Sequence, residues 1–181
     1  VQPLTGRQVH GRRVVLRPPA RRVQPTHHEL RDALNTLGGR LLGEACHFVD
    51  LLRHLAASPI EDLQLINAAD CKPCPDTFTL QLRFADGSIG TVHYFANGSK
   101  AFPKERLDVF CDGKVLQLDN YRKLKAWGIP GFRTRRLFSQ DKGQESCCAA
   151  FLKAIETGGS PPIPVDEIFE VQRWLLQAVS Q

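Results

Sequence analysis

Phe78-Thr79-Leu80-Gln81-Leu82-Arg83-Phe84-Ala85-Asp86-Gly87-Ser88-Ile89 is the stretch that decides the fold. Phe78, Leu80, Leu82 and Phe84 alternate with polar neighbours, the period of two that gives a strand one apolar face. Asp86-Gly87 then offers turn chemistry, and residues 89–96 resume with β-branched and aromatic side chains. Two runs joined in this way read as an antiparallel hairpin.

The same pattern repeats downstream. Leu107, Val109 and Cys111 alternate before Asp112-Gly113, and Val115 to Asp119 returns as a second hairpin. An earlier strand around Leu63 to Ile66 joins the sheet. From Tyr121 to Phe138 the period is lost, so a strand end followed by a long loop is expected there.

Helices flank the strands. Thr26-His27-His28-Glu29 has the form of a capping box, opening a short helix to Leu37. After Gly38-Gly39, apolar residues at Leu41, Ala45, Phe48, Leu52 and Leu55 predict a second helix with one buried stripe, ended by Ser58-Pro59. Near the C-terminus one helix is expected from about Lys142 to Thr157, with Cys148, Phe151, Leu152 and Ile155 inward and Gly158-Gly159 as its stop. Another runs from Val165 and buries Ile168, Val171, Leu175 and Val179. Helix, strands, then helices is the order of an α+β domain, an open and mainly antiparallel sheet with helices packed on one face. Its other face is left for a partner or a substrate.

The 181 residues, 42% hydrophobic and 24% charged, suit one globular domain. No apolar run reaches membrane-spanning length and no secretory signal is evident, so a soluble cytoplasmic protein is expected. In that compartment the sequon Asn97-Gly98-Ser99 is not glycosylated. The net charge of +5 belongs to the leader. Residues 1–25 hold six arginines (Arg7, Arg12, Arg13, Arg17, Arg21, Arg22) and no acidic residue, which leaves the rest close to neutral. We therefore divide the chain into a poorly ordered basic leader, 1–25, and a domain, 26–181, and expect neither membrane nor nucleic acid as a partner. The chain starts at Val1 and contains no methionine, so further sequence upstream is expected.

Candidate chemistry concentrates in Gly38-Gly39-Arg40-Leu41-Leu42-Gly43-Glu44-Ala45-Cys46-His47-Phe48-Val49-Asp50. Spacings of three set Glu44 beside His47 and His47 beside Asp50 on one helix flank. A histidine exchanges protons near neutral pH, and neighbouring carboxylates orient its ring. Lys100 and Lys104, near the end of the first hairpin, are candidates for binding hydroxyls or an acidic group of a substrate. Cys71-Lys72-Pro73-Cys74 lacks the second pair that a zinc site needs, so no metal is assigned. Cys147-Cys148 is expected to place one thiol in the core and one at the surface.

The stretch around His47 resembles the start of the C-terminal domain in the Gfo/Idh/MocA family of NAD(P)-dependent oxidoreductases, where glycines and an aspartate precede a histidine and an isoleucine-aspartate pair. His47 and Val49-Asp50 match that pattern. Gly43 stands where the family has its aspartate, with Glu44 one position along. The resemblance continues through Arg83-Phe84-Ala85-Asp86-Gly87-Ser88-Ile89-Gly90-Thr91, through Glu105-Arg106-Leu107-Asp108-Val109-Phe110, and through Ala150-Phe151-Leu152-Lys153-Ala154-Ile155 with its Gly-Gly-Ser-Pro-Pro exit. It spans roughly residues 37–181, leaves the leader unmatched, and looks most like a branch linked to sugar and polysaccharide metabolism.

The resemblance implies the substrate-binding and dimerising half of an enzyme acting on a hydroxyl of a sugar, sugar derivative or cyclitol. His47 and Glu44 would be its catalytic residues. NAD or NADP would be bound mainly by a Rossmann domain absent from this chain, since no G-x-G-x-x-G and no Glu-Lys-Pro triplet occur here. The chain alone is then expected to be inactive and to pair with itself through the sheet. A non-catalytic dimerisation or sugar-sensing module is the alternative.

Overall fold

The computed structural model describes residues 14–16, 39–68 and 77–179. The capping box at Thr26, the helix to Leu37 and the Cys71/Cys74 pair lie outside the described residues, as does the leader apart from Val14–Leu16.

Among the described residues eight strands form one sheet: β1 (Val14–Leu16), β2 (Ile60–Asn67), β3 (Thr77–Phe84), β4 (Ile89–Phe95), β5 (Glu105–Cys111), β6 (Lys114–Asp119), β7 (Lys123–Trp127) and β8 (Arg135–Arg136). Their spatial order is β2-β3-β4-β1-β5-β6-β7-β8. Every pairing is antiparallel except β1 with β4. The fold is α+β, and the described residues contain no parallel β-α-β unit of the Rossmann kind.

The alternation read in β3 is realised: Phe78, Leu80, Leu82 and Phe84 are each at most 2% exposed. They face Val92 and Tyr94 of β4, and Tyr94 stacks on Phe78 at 5.1 Å between ring centroids. β2 breaks the strict alternation. A register shift between Ile60 and Asp62 turns both Ile60 and Leu63 toward the core, as a bulge does. The turn between β5 and β6 carries positive φ at both Asp112 (47°) and Gly113 (69°), the geometry of a two-residue hairpin turn matched to strand twist.

Helix α1 (Cys46–Ala56) follows a single π-helical turn, Leu41–Ala45, and packs with α3 (Val165–Val179) on the face that β3 and β4 fill with apolar side chains. Leu41, Ala45 and Val49 are buried at spacings of four, followed by Arg53. This line differs from the expected stripe. Phe48 and Leu52 sit partly buried on the flank, and Leu55 is exposed, because the helix lies between the sheet on one side and α3 on the other. Arg53 donates to Glu170 of α3 at 3.0 Å and lies 3.6 Å from Glu167. Glu170 also accepts the backbone N–H of Ile60, so one carboxylate ties two helices to β2.

Helix α2 (Gln144–Thr157) starts after Gly143 and stops at Gly158, whose N–H reaches back toward Ala154 and Ile155. Its expected inward stripe is corrected. Phe151, Leu152 and Ile155 are 56%, 56% and 62% exposed, and Cys147 and Cys148 are both exposed. The amphipathic spacing is real, but no described element covers it. In α3, Val171, Leu175 and Ala178 are buried while Ile168 and Val179 are exposed.

Candidate functional site

The residue that precedes the π turn leading into α1 reaches the far end of β4. Arg40 Nη1 donates to the Tyr94 hydroxyl at 3.5 Å, while Leu52, three turns later, closes on Gly90 at the start of that strand. Helix and strand therefore run in opposite directions, and a Cβ on Gly90 would come within 2.9 Å of Leu52. The π turn adds a residue to the helix start, a feature often found where a side chain must be re-aimed.

Along this helix the expected residues are brought close, though no hydrogen bond joins them. Glu44 and His47 are exposed and Asp50 is half-buried. Two residues beyond Ala45 and two before Val49, His47 occupies the crest opposite the buried line. Burial pushes the Asp50 carboxyl above its ordinary range; the nearby Glu167 carboxylate adds to this, while His47 and His54 oppose it. Cys46 on the same turn is half-buried, and its thiol is raised chiefly by burial, which makes it a poor nucleophile.

Lys100 and Lys104 lie in the loop between β4 and β5, which leaves the sheet just past Tyr94. Lys100 is exposed and Lys104 half-buried. No hydrogen bond or ion pair ties either to α1.

Sequence reasoning missed the residue after Lys104. Glu105 is the first residue of β5, and its side chain is only 7% exposed. Lys142 Nζ lies 2.6 Å from its Oε1, and the same ammonium sits 5.9 Å from the Tyr121 ring. Burial, with a further contribution from Glu105, raises the Tyr121 phenol above its usual range. Tyr121 has φ of 49°, uncommon for a bulky side chain, in the turn after β6. Phe48 and Leu51 of α1 close over this cluster with Leu107 and Leu118. A signal was present: Glu105 has the same parity as Leu107 and Val109, so a charged residue occupied a position the alternation assigns to the apolar face.

The parts define a class: an open-sheet α+β domain whose helix presents an exposed histidine near two carboxylates on the side away from its buried line. The family model for the GFO/IDH/MocA C-terminal domain matches residues 5–117, and the chain belongs to that family. The match takes in most of the leader, which the sequence reading left unmatched, and ends before the C-terminal helices.

No curated protein matches the chain by sequence. Among solved structures it is similar to UDP-N-acetylglucosamine 3-dehydrogenase from Acidithiobacillus ferrooxidans, with a TM-score of 0.68 at 14% identity, covering 93% of this chain and 52% of that one. The aldose-aldose oxidoreductase from Caulobacter crescentus gives 0.66 at 20% identity, with 93% and 53% covered. A levoglucosan dehydrogenase in complex with NADH gives 0.66 at 15%, with 93% and 55% covered. These likenesses show the fold. The chain spans about half the length of the structures it matches.

Proposed function

We propose that this chain is the substrate-binding half of an NAD(P)-dependent oxidoreductase acting on a hydroxyl of a sugar, sugar derivative or cyclitol. The observation that carries the reading is the exposed His47 ring between Glu44 and Asp50 on α1, in a chain of this family. Taking the hydroxyl proton as the alcohol becomes a carbonyl, or returning it in reverse, is the part of the reaction these residues can perform. Glu44, in place of the family aspartate, positions the ring or the substrate. Lys100 and Lys104 reach toward hydroxyls or an acidic group from the neighbouring loop.

A nicotinamide cofactor would supply the hydride chemistry. The described turns at Gly87 and Gly113 close antiparallel hairpins, and no G-x-G-x-x-G opens a helix in the sequence, so these residues do not fit a dinucleotide. We assign the cofactor to another domain and no step to it here.

In the full-length enzyme, His47→Ala should lower kcat by about 10²–10⁴-fold while circular dichroism stays unchanged, because the ring lies outside the core. Turnover equal to wild type would sink the assignment.

One observation favours assembly through the sheet, whether in the enzyme or in a non-catalytic module. Ile66, Ile89, Phe110 and Trp127 are exposed, and by register they lie on the face opposite the helices. The sensing alternative keeps this contact and predicts no effect of His47 on any turnover.

A further inference from the structure

Glu105 Oε2 is buried and, among the described residues, has no hydrogen-bond partner. Leaving a buried carboxylate oxygen unmatched is costly, so native proteins rarely do it without an occupant or a purpose. Beside it is a notch of about 10 Å3, lined by Phe48, Leu51, Arg106, Leu107, Leu118 and Tyr121 and open on one side. That volume admits one group the size of a water molecule or a hydroxyl.

The charge of Glu105 is already balanced by Lys142 at 2.6 Å. A second cation in the notch would leave the ion pair with excess positive charge, whereas a neutral O–H donor satisfies the oxygen without disturbing it. No group of three or more potential metal ligands occurs among the described residues. Arg106, which also borders the notch, has its guanidinium paired with Asp108 at 3.1 Å, and the other walls are apolar and aromatic, the surface against which the C–H face of a polyol ring packs while one hydroxyl is fixed. Position agrees with chemistry. Phe48 and Leu51 lie on α1 within about one turn of His47, and Lys104 is the residue before Glu105.

We infer that the Glu105 notch is a subsite for one hydroxyl of a polyol, with Glu105 Oε2 accepting its hydrogen bond and Lys142 and Tyr121 holding the carboxylate in place. The inference rests on the proposed function and names a specificity-determining residue within it.

The test is a methyl NMR titration of the full 181-residue chain with D-glucose, and in parallel with tetrahydropyran, a similar ring without a donor. The Leu51, Leu107 and Leu118 methyls should shift saturably with glucose and not with tetrahydropyran. Glu105→Gln should weaken the response about tenfold, the effect of losing one charge-assisted hydrogen bond. Leu118→Phe, which fills the notch and keeps the ion pair, should abolish it. No saturable shift, an equal response to tetrahydropyran, or an unchanged response in Glu105→Gln would overturn the proposal and leave the notch to a structural water. In the full-length enzyme Glu105→Gln should raise KM with little change in kcat. Turnover that depends on His47 but not on Glu105 would overturn the notch alone; turnover indifferent to both would also remove the proposed function.

Discussion

Asp50 sits where its surroundings disfavour the carboxylate. Burial, then Glu167, raise its folded pKa above the unfolded value, so the carboxyl contributes stability below the unfolded pKa and loses it as pH rises through the folded one. Asp50→Asn should therefore raise the melting temperature at pH 7, and the gain should vanish in acid below the ordinary carboxyl range; a thermal melt at both pH values reads it. Arg53 and Glu170 behave oppositely, since each needs the other. Removing the acid with Glu170→Ala leaves the buried guanidinium only its 3.6 Å ion pair with Glu167 and the Ile60 N–H unmatched, and should cost about 3 kcal/mol in urea denaturation. At this scale a local pattern sufficed to place Glu44, His47 and Asp50 along one helical stretch. The sequence was not legible for Arg53–Glu170 or Glu105–Lys142, whose partners lie 117 and 37 residues apart.

Elements whose burial is decided within a few residues were read well. β3 and β4 matched because four inward side chains alternate without interruption, and Leu80, fully buried among them, should cost about 2–5 kcal/mol when cut to alanine. The start of β7 hid in the segment expected to be mostly loop, since Lys123, Leu124 and Lys125 give no clean period over so few residues. Its end depends on Gly128, where a Cβ would come 2.5 Å from the Gly113 carbonyl oxygen at φ of 72°. That contact is backbone and cannot swing away, so Gly128→Ala should destabilise by at least about 1 kcal/mol, read in the same denaturation experiment. α2 shows the limit of periodicity, because spacing says which residues share a face and not whether anything covers that face.

For the whole molecule, charge and sheet order tell different parts of the story. The basic character of the first 25 residues was plain in the sequence, but nothing in their composition indicated that Val14–Leu16 would pair between β4 and β5 and join the two halves of one sheet. A parallel strand brought in from a distant part of the chain leaves no local signature. The open face of that sheet carries Phe110 and Trp127 on adjacent positions across β5, β6 and β7. If it pairs two copies, Trp127→Asp should shift sedimentation from dimer to monomer without lowering the melting temperature of the fold.

The central claim is that this chain holds a substrate and leaves the dinucleotide to another domain. Calorimetric titration of the 181 residues with NADH and NADPH tests it most directly. The account predicts no saturable binding of either; saturable binding in the micromolar range would contradict it and place a nucleotide site within this chain.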